Sequence, residues 1–141
     1  MCTCSNPKIL VITSRKRFEG EVDFLKQIEK IAVAKPFGIV LREKDLPVKE
    51  YSVLARRVRD ICRSAGASII VHSHPEVARE LGISALHMPL DALEKLSSEE
   101  RKEFRVLGAS CHSVEDVLRA KALGCDYVTA GHVYATDCKP G

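Results

Sequence analysis

Four histidines of this chain sit within or just after short apolar runs, and that placement makes them candidates for chemistry. His72 follows SIIV, His87 lies inside ALHMPL, His112 follows RVLGASC and His132 follows DYVTAG. An imidazole titrates near neutral pH, so a positioned histidine can take a proton from one atom and return it to another. Side chains alternate along a strand, which is expected to put three pairs each on one face: His72 with His74, Ser110 with His112, and Arg42 with Lys44. A cation pair such as Arg42 and Lys44 suits a phosphorylated substrate. The blander reading of each histidine is a half-buried, satisfied side chain, and that of Arg42–Glu43–Lys44 is an exposed turn of alternating charge.

Two other chemistries compete for these residues. Zinc could be held by His72, His74, His112 and His132 with Cys111 and Cys138, but their spacing matches no closed structural-zinc pattern, and no metal is assigned. A serine hydrolase built on Ser110 lacks the G-x-S-x-G elbow, and its histidine lies only two residues away in an extended segment.

The elements that must position these groups alternate regularly. KILVITS at 8–14 is a β-branched run expected as a strand, β1, buried on both faces of a parallel sheet. From Glu21 to about Ala34, Val22, Leu25, Ile28, Ile31 and Ala32 recur at helical spacing, and Pro36 closes that helix. FGIVLRE begins β2. Pro47 opens a second helix with Tyr51, Leu54, Val58, Ile61 and Cys62 along one face and Gly66 as its stop. Arg56, Arg57, Arg59 and Arg63 fall mostly on its other side, where Glu50 and Asp60 interrupt them, as on a solvated face. ASIIVHSH is read as β3, PEVARELG as a short helix and ALHMPL as β4. A polar helical connection over 91–104 leads to RVLGAS as β5. Ser113 then caps a helix ending at Gly124, and CDYVTAG begins β6. Strands at intervals of about 17 to 32 residues, alternating with helices, are repeated βα units, whose polar residues gather at the strands' carboxyl ends.

Composition sets the outer bounds. The 141 residues are 45% apolar and 29% charged, which suits a single globular domain over 1–141. A formal charge of +3, interspersed along helices, gives no support for a nucleic-acid or membrane surface. The start, MCTCSNPK, lacks the regions of a signal peptide, and no apolar run approaches the roughly 18 residues of a membrane span. The six cysteines contain no CxxC pair, and four lie within or beside apolar elements, as reduced thiols do. A cytoplasmic location is expected.

Taken together and in this order, LREKDLP, GASCHSVEDV, DYVTAGHV and TDCKPG resemble the thiamine-phosphate synthase and thiazole tautomerase family of TIM-barrel enzymes in thiamine biosynthesis. The resemblance implies an α/β fold of (β/α)8 TIM-barrel type, here an incomplete barrel covering about β1 to β6 and lacking the C-terminal βα units. A full barrel has eight strands and about 250 residues, so the remaining part is expected to lie outside this sequence, with a natural fragment completed by association as the alternative. Open apolar edges at β1 and β6 would favour pairing with another chain, a possible homo-oligomer.

The synthase branch joins a pyrimidine diphosphate to a thiazole phosphate with magnesium. Its Asn-Asp pair after β3 and its Asp after β4 stand here as His72, Ser73 and Ala92, with Asp91 one residue from the last, and its Gln before the Arg is Val40. The tautomerase branch needs no metal, and its Ser-x-His-Ser and GHV-x-x-TDCK segments match SCHS and GHVYATDCK. The resemblance therefore leans toward a metal-independent thiazole tautomerase, an isomerase moving a proton on a phosphorylated thiazole carboxylate without a cofactor. His112 is then the acid/base and Ser110 a polar contact, while Arg42, Lys44, His72, Thr136 and Lys139 hold the substrate and its phosphate. The alternatives are a magnesium-dependent thiamine-phosphate synthase, a transferase, and a relative that binds ligand without turnover. The partner in each case is a small phosphorylated thiazole or pyrimidine.

Overall fold

A computed structural model describes residues 8–131 of the chain. Two compact units meet in sequence between Ile83 and Ser84. The first holds β1 (Leu10–Ile12), a 3-10 turn at Arg15–Arg17, α1 (Glu21–Val33), β2 (Gly38–Leu41), α2 (Val48–Ala65), β3 (Ile69–His72) and α3 (Pro75–Leu81). The second holds β4 (Ala85–Pro89), α4 (Leu90–Glu94), α5 (Ser98–Lys102), β5 (Val106–Cys111), α6 (Val114–Ala122) and β6 (Tyr127–Ala130). The strand-helix alternation read from the sequence is thus present throughout.

In the first unit β1, β2 and β3 pair in parallel, with Leu10 opposite Gly38 and Ile39 opposite Ile69. Strand β2 has a neighbour on each side and is buried along its whole length, and β3 is likewise fully buried. β1 departs from expectation: Leu10 and Val11 are half-buried, and Ile12 is exposed. Its apolar run reads as a strand covered on both faces, but among the described residues its one strand partner is β2, so it is an edge.

α1 buries Phe24, Ile28 and Ala32, a stripe at four-residue spacing, while Val22 stays exposed. The buried face is therefore rotated from the expected one, toward the larger aromatic ring. α2 carries Tyr51, Leu54, Val58 and Cys62 inward as its periodicity predicts, and Gly66 ends it at φ 76°, a left-handed conformation that costs glycine nothing. Its arginines form the solvated face: Arg57 pairs with Glu21, and Arg59 with Asp60 and the Leu81 carbonyl.

The Tyr51 hydroxyl joins two strands. It donates to the Leu41 carbonyl at 2.7 Å and accepts the His72 N–H at 3.0 Å. Burial pushes the phenol's pKa up, so the group keeps the proton it donates. Tyr51→Phe removes one partner from each of two buried backbone groups and is expected to cost about 2 kcal/mol in urea unfolding. A change below 0.5 kcal/mol, the order of a neutral surface substitution, would mean that the bridge contributes nothing.

In the second unit β4, β5 and β6 pair in parallel, with His87 opposite Gly108 and Gly108 opposite Tyr127. The expected polar connection over 91–104 is two short helices, and Ser97 and Glu100 form a capping box at the start of the second. Ser113 caps α6 as predicted, its hydroxyl accepting the Asp116 N–H at 3.1 Å. Asp126, just before β6, exchanges hydrogen bonds with Leu107 through its backbone N–H and its carboxylate, each at 2.7 Å. Among the described residues no helix is long and apolar enough to cross a membrane.

Candidate functional site

The chemistry-bearing residues of the first unit lie where β2 and β3 end. Past Leu41 the alternation of the strand persists: Arg42 and Lys44 are exposed, and Glu43 between them is buried. The pair therefore shares an outward face, as expected. The turn is more than the exposed run of charge that its sequence suggests, because Glu43 is anchored from β1's side. Its carboxylate accepts the Thr13 hydroxyl and the Arg15 N–H, and Thr13 in turn accepts the Arg42 N–H at 3.1 Å.

At the end of β3 the alternation stops. His72 is buried, but Ser73 takes φ 66°, a left-handed conformation uncommon for a residue with a side chain, and turns the backbone. His74 then sits at the N-cap of α3 with its ring 4.6 Å from that of Tyr51. The shared face expected of His72 and His74 is thus not formed. The Ser73 hydroxyl instead meets His72 Nδ1 at 2.8 Å.

The second unit brings together a chain of three side chains. His87, buried in β4, has Nδ1 2.9 Å from the Tyr127 hydroxyl and Nε2 2.8 Å from the Ser110 hydroxyl. The register explains the meeting: His87, Gly108 and Tyr127 lie in one row across the three strands, and Ser110 and Thr129 lie opposite one another in the next row of the same face. Burial raises the Tyr127 pKa, so its phenol is protonated at physiological pH.

His112 lies just past β5, in a bend, so the strand alternation that should pair it with Ser110 ends one residue too early. It is exposed, and its backbone N–H donates to the Asp116 carboxylate at 2.9 Å. That bond, helped by the Arg119 guanidinium, holds Asp116 below the usual carboxylate range. Gly131, which donates to the Cys111 carbonyl at 3.2 Å, is beside the imidazole: a Cβ there would lie 3.9 Å from His112 Cε1. Cys111 is fully buried and Cys125 half-buried, and burial pushes both thiols up, Cys125 to about 11. They are protonated at neutral pH, the form that neither attacks carbon nor binds a metal well.

Arg42, Lys44 and His72 thus belong to the first unit, and Ser110 and His112 to the second. Thr136, Lys139, His132 and Cys138 lie outside the described residues. Among the described residues no three His, Cys, Asp or Glu side chains come together as a metal site. Sequence reasoning placed His87 on a strand but gave it no role, and it passed over Tyr127. The available signal was Gly108, since a glycine inside a strand marks a close approach by a neighbouring group.

Comparison with known proteins gives this arrangement its relatives. A family model described as thiamine monophosphate synthase matches residues 9–141. The chain belongs to the thiamine monophosphate synthase family. A thiamine-phosphate synthase of Bacillus velezensis is 37% identical over 101 residues, which are 70% of this chain and 45% of that protein. A putative thiamine-phosphate synthase of Aquifex aeolicus is 28% identical over 134 residues, 95% of this chain and 71% of its own length. The solved thiamine phosphate pyrophosphorylase of Pyrococcus furiosus superposes with a TM-score of 0.72 at 27% identity, covering 92% of this chain and 62% of that one. The chain thus spans about half to seven-tenths of the relatives it matches. Its strand-helix succession is that of an incomplete (β/α)8 TIM-barrel type over β1 to β6, as the family resemblance implies. The names of these relatives back the synthase alternative better than the tautomerase leaning.

Magnesium, which the resemblance attaches to the synthase branch, can be tested against the residues present. After β3 stands Ser73, whose neutral hydroxyl is engaged with His72. After β4 stands Ala92, which has no donor, and neighbouring Asp91 is a largely exposed carboxylate 3.5 Å from Arg119. These donors do not fit a magnesium ion, which favours charged carboxylate oxygens.

Proposed function

We propose that this chain serves thiamine biosynthesis as a thiamine-phosphate synthase, a transferase acting on small phosphorylated pyrimidine and thiazole ligands. The family match over 9–141, with relatives that carry that name, is the observation behind it. Arg42 and Lys44 hold the anion in the first unit, with His72 as a further polar group at the end of β3, the strand paired with β2. Ser110 supplies a hydroxyl contact in the second, and Thr136 and Lys139 are assigned to the phosphate from the resemblance. Because Ser73, Ala92 and Asp91 do not fit magnesium, charge neutralisation is assigned to these cations, and neither metal nor other cofactor is proposed.

A second reading is favoured by the same two substitutions, Ser73 and Ala92: a metal-independent tautomerase that shifts a proton on a phosphorylated thiazole carboxylate. His112 would remove the proton from carbon and return one elsewhere on the ring, needing no diphosphate chemistry. Its position supports this role, since the imidazole is exposed while its backbone is pinned to Asp116. The protein is proposed to be cytoplasmic, in keeping with the free cysteines Cys62, Cys111 and Cys125, and a homo-oligomer belongs to the same reading.

One pair of assays separates the readings. The purified chain is given pyrimidine diphosphate with thiazole phosphate, once with magnesium and once in excess chelator, and separately the thiazole carboxylate phosphate in excess chelator. Thiamine phosphate as product supports the synthase, and isomerisation alone supports the tautomerase. If neither forms while a thiazole phosphate still binds, the chain is a ligand-binding relative. Under the second reading His112→Gln should slow isomerisation by on the order of a hundred-fold with the fold intact, and an unchanged rate would remove His112 from the mechanism.

A further inference from the structure

The chain of hydroxyl, imidazole and hydroxyl in the second unit has a polarity that the ligand would feel. His87 is 3% exposed and meets Tyr127 at Nδ1 and Ser110 at Nε2. In its neutral form the imidazole has one N–H and one bare nitrogen, and two arrangements then satisfy these two contacts. In the first the phenol donates to Nδ1 and Nε2–H donates to Ser110 Oγ. In the second the serine donates to Nε2 and Nδ1–H donates to the phenol.

Elementary acid-base chemistry separates them. A phenol O–H is a far stronger acid than a serine O–H, so it makes the stronger bond to the bare imidazole nitrogen. A serine oxygen is a better acceptor than a phenol oxygen, whose lone pair is delocalised into the ring. Both preferences select the first arrangement, in which the Ser110 hydroxyl receives a bond from His87 and keeps its own proton for donation elsewhere. Ser110 is half-buried at the carboxyl end of β5, so that proton has room to meet a ligand.

We propose that Tyr127 is a positioning residue: through His87 it fixes the Ser110 hydroxyl as a hydrogen-bond donor toward an anionic or carbonyl oxygen of the ligand. The backbone is built for this reach. Gly108 lies between His87 and Tyr127 in the row, and a Cβ there would fall 2.1 Å from Tyr127 Cζ and 2.4 Å from its hydroxyl oxygen. The phenol therefore crosses β5 over the bare glycine to reach β4. The ligand side of this inference rests on the reading of Ser110 as a substrate contact; the tautomer does not.

The test uses the full chain labelled with 15N, whose ring nitrogen signals report which imidazole nitrogen carries the proton. In the unsubstituted protein His87 is expected with Nε2 protonated and Nδ1 bare. A protonated Nδ1 there overturns the proposal before any variant is made. Tyr127→Phe, which keeps the ring over Gly108, should abolish that preference and weaken binding of thiazole phosphate by about tenfold, the value of one hydrogen bond. In a Ser110→Ala background the same substitution should have no further effect on binding. An unchanged His87 signal in Tyr127→Phe, or an equal loss of affinity with and without Ser110, would also overturn it. If the tautomer is as expected but thiazole phosphate does not bind the unsubstituted chain, the functional reading fails while the positioning of Ser110 stands.

Discussion

Replacing Glu43 by alanine is expected to destabilise the first unit by about 3 kcal/mol. Glu43 is 5% exposed, and its two oxygens are both used: one takes the Thr13 hydroxyl, the other the Arg15 N–H at 3.0 Å. The Arg15 side chain reinforces it, with Nε 3.8 Å from the same carboxylate. That Nε is buried without a hydrogen bond of its own, and Glu43 compensates it together with Asp45, which pairs with the far end of the guanidinium. Alanine would leave a backbone N–H and a hydroxyl without their acceptor and the buried Arg15 Nε without its nearby carboxylate charge, which is the costly way to lose a buried interaction. Glu43→Gln keeps the shape and one acceptor oxygen and should lose about 1 kcal/mol. Urea unfolding followed by the chain's tyrosine fluorescence measures both. An alanine variant as stable as the glutamine one would show that the shape and acceptor oxygen that glutamine keeps are immaterial. Because Thr13 also holds the Arg42 N–H, Glu43→Ala should in addition loosen the segment bearing Arg42 and Lys44 and raise the dissociation constant of a phosphate ligand.

The contrast between what this region's sequence shows and what it conceals has a physical origin. Periodicity reports which faces are apolar, and it located every strand and the buried stripe of α2. It carries no information about how a turn is held, so Glu43 in a run of charges reads as solvated although its carboxylate is buried. The same limit explains His74. Alternation pairs it with His72 only while the backbone stays extended, and the left-handed Ser73 ends that condition. β1 shows a third kind of limit, because an apolar run does not say whether a second neighbour covers it. The candidate site divides along the same line. Residues marked by type and motif, such as Ser110, His112 and Arg42, were visible in the sequence. Tyr127, whose importance comes from reaching across a neighbouring strand, was not.

Gly108→Ala is the second large effect and bears directly on that reach. The added methyl would lie 2.1 and 2.6 Å from two ring atoms of Tyr127 and 2.4 Å from its hydroxyl oxygen, far inside any real carbon contact, so the ring or the strand must move. Gly108 is paired on both sides, with His87 of β4 and Tyr127 of β6, which leaves the backbone little freedom. Tyr127 is half-buried, and its ring is the part able to swing away. Doing so breaks the bond to His87 Nδ1 and leaves a buried imidazole nitrogen short of that partner. The combined overpacking and lost bond should lower stability by about 2 to 3 kcal/mol. The His87 ring signals should then resemble those of Tyr127→Phe. Tyr127→Ala empties the space the methyl needs, so adding Gly108→Ala to it should cost far less than adding it to the unsubstituted chain, a coupling of about 1 to 2 kcal/mol in a double-mutant cycle. Strict additivity of the two substitutions would mean that the glycine serves the strand's own geometry and that the passage of the phenol over it is incidental.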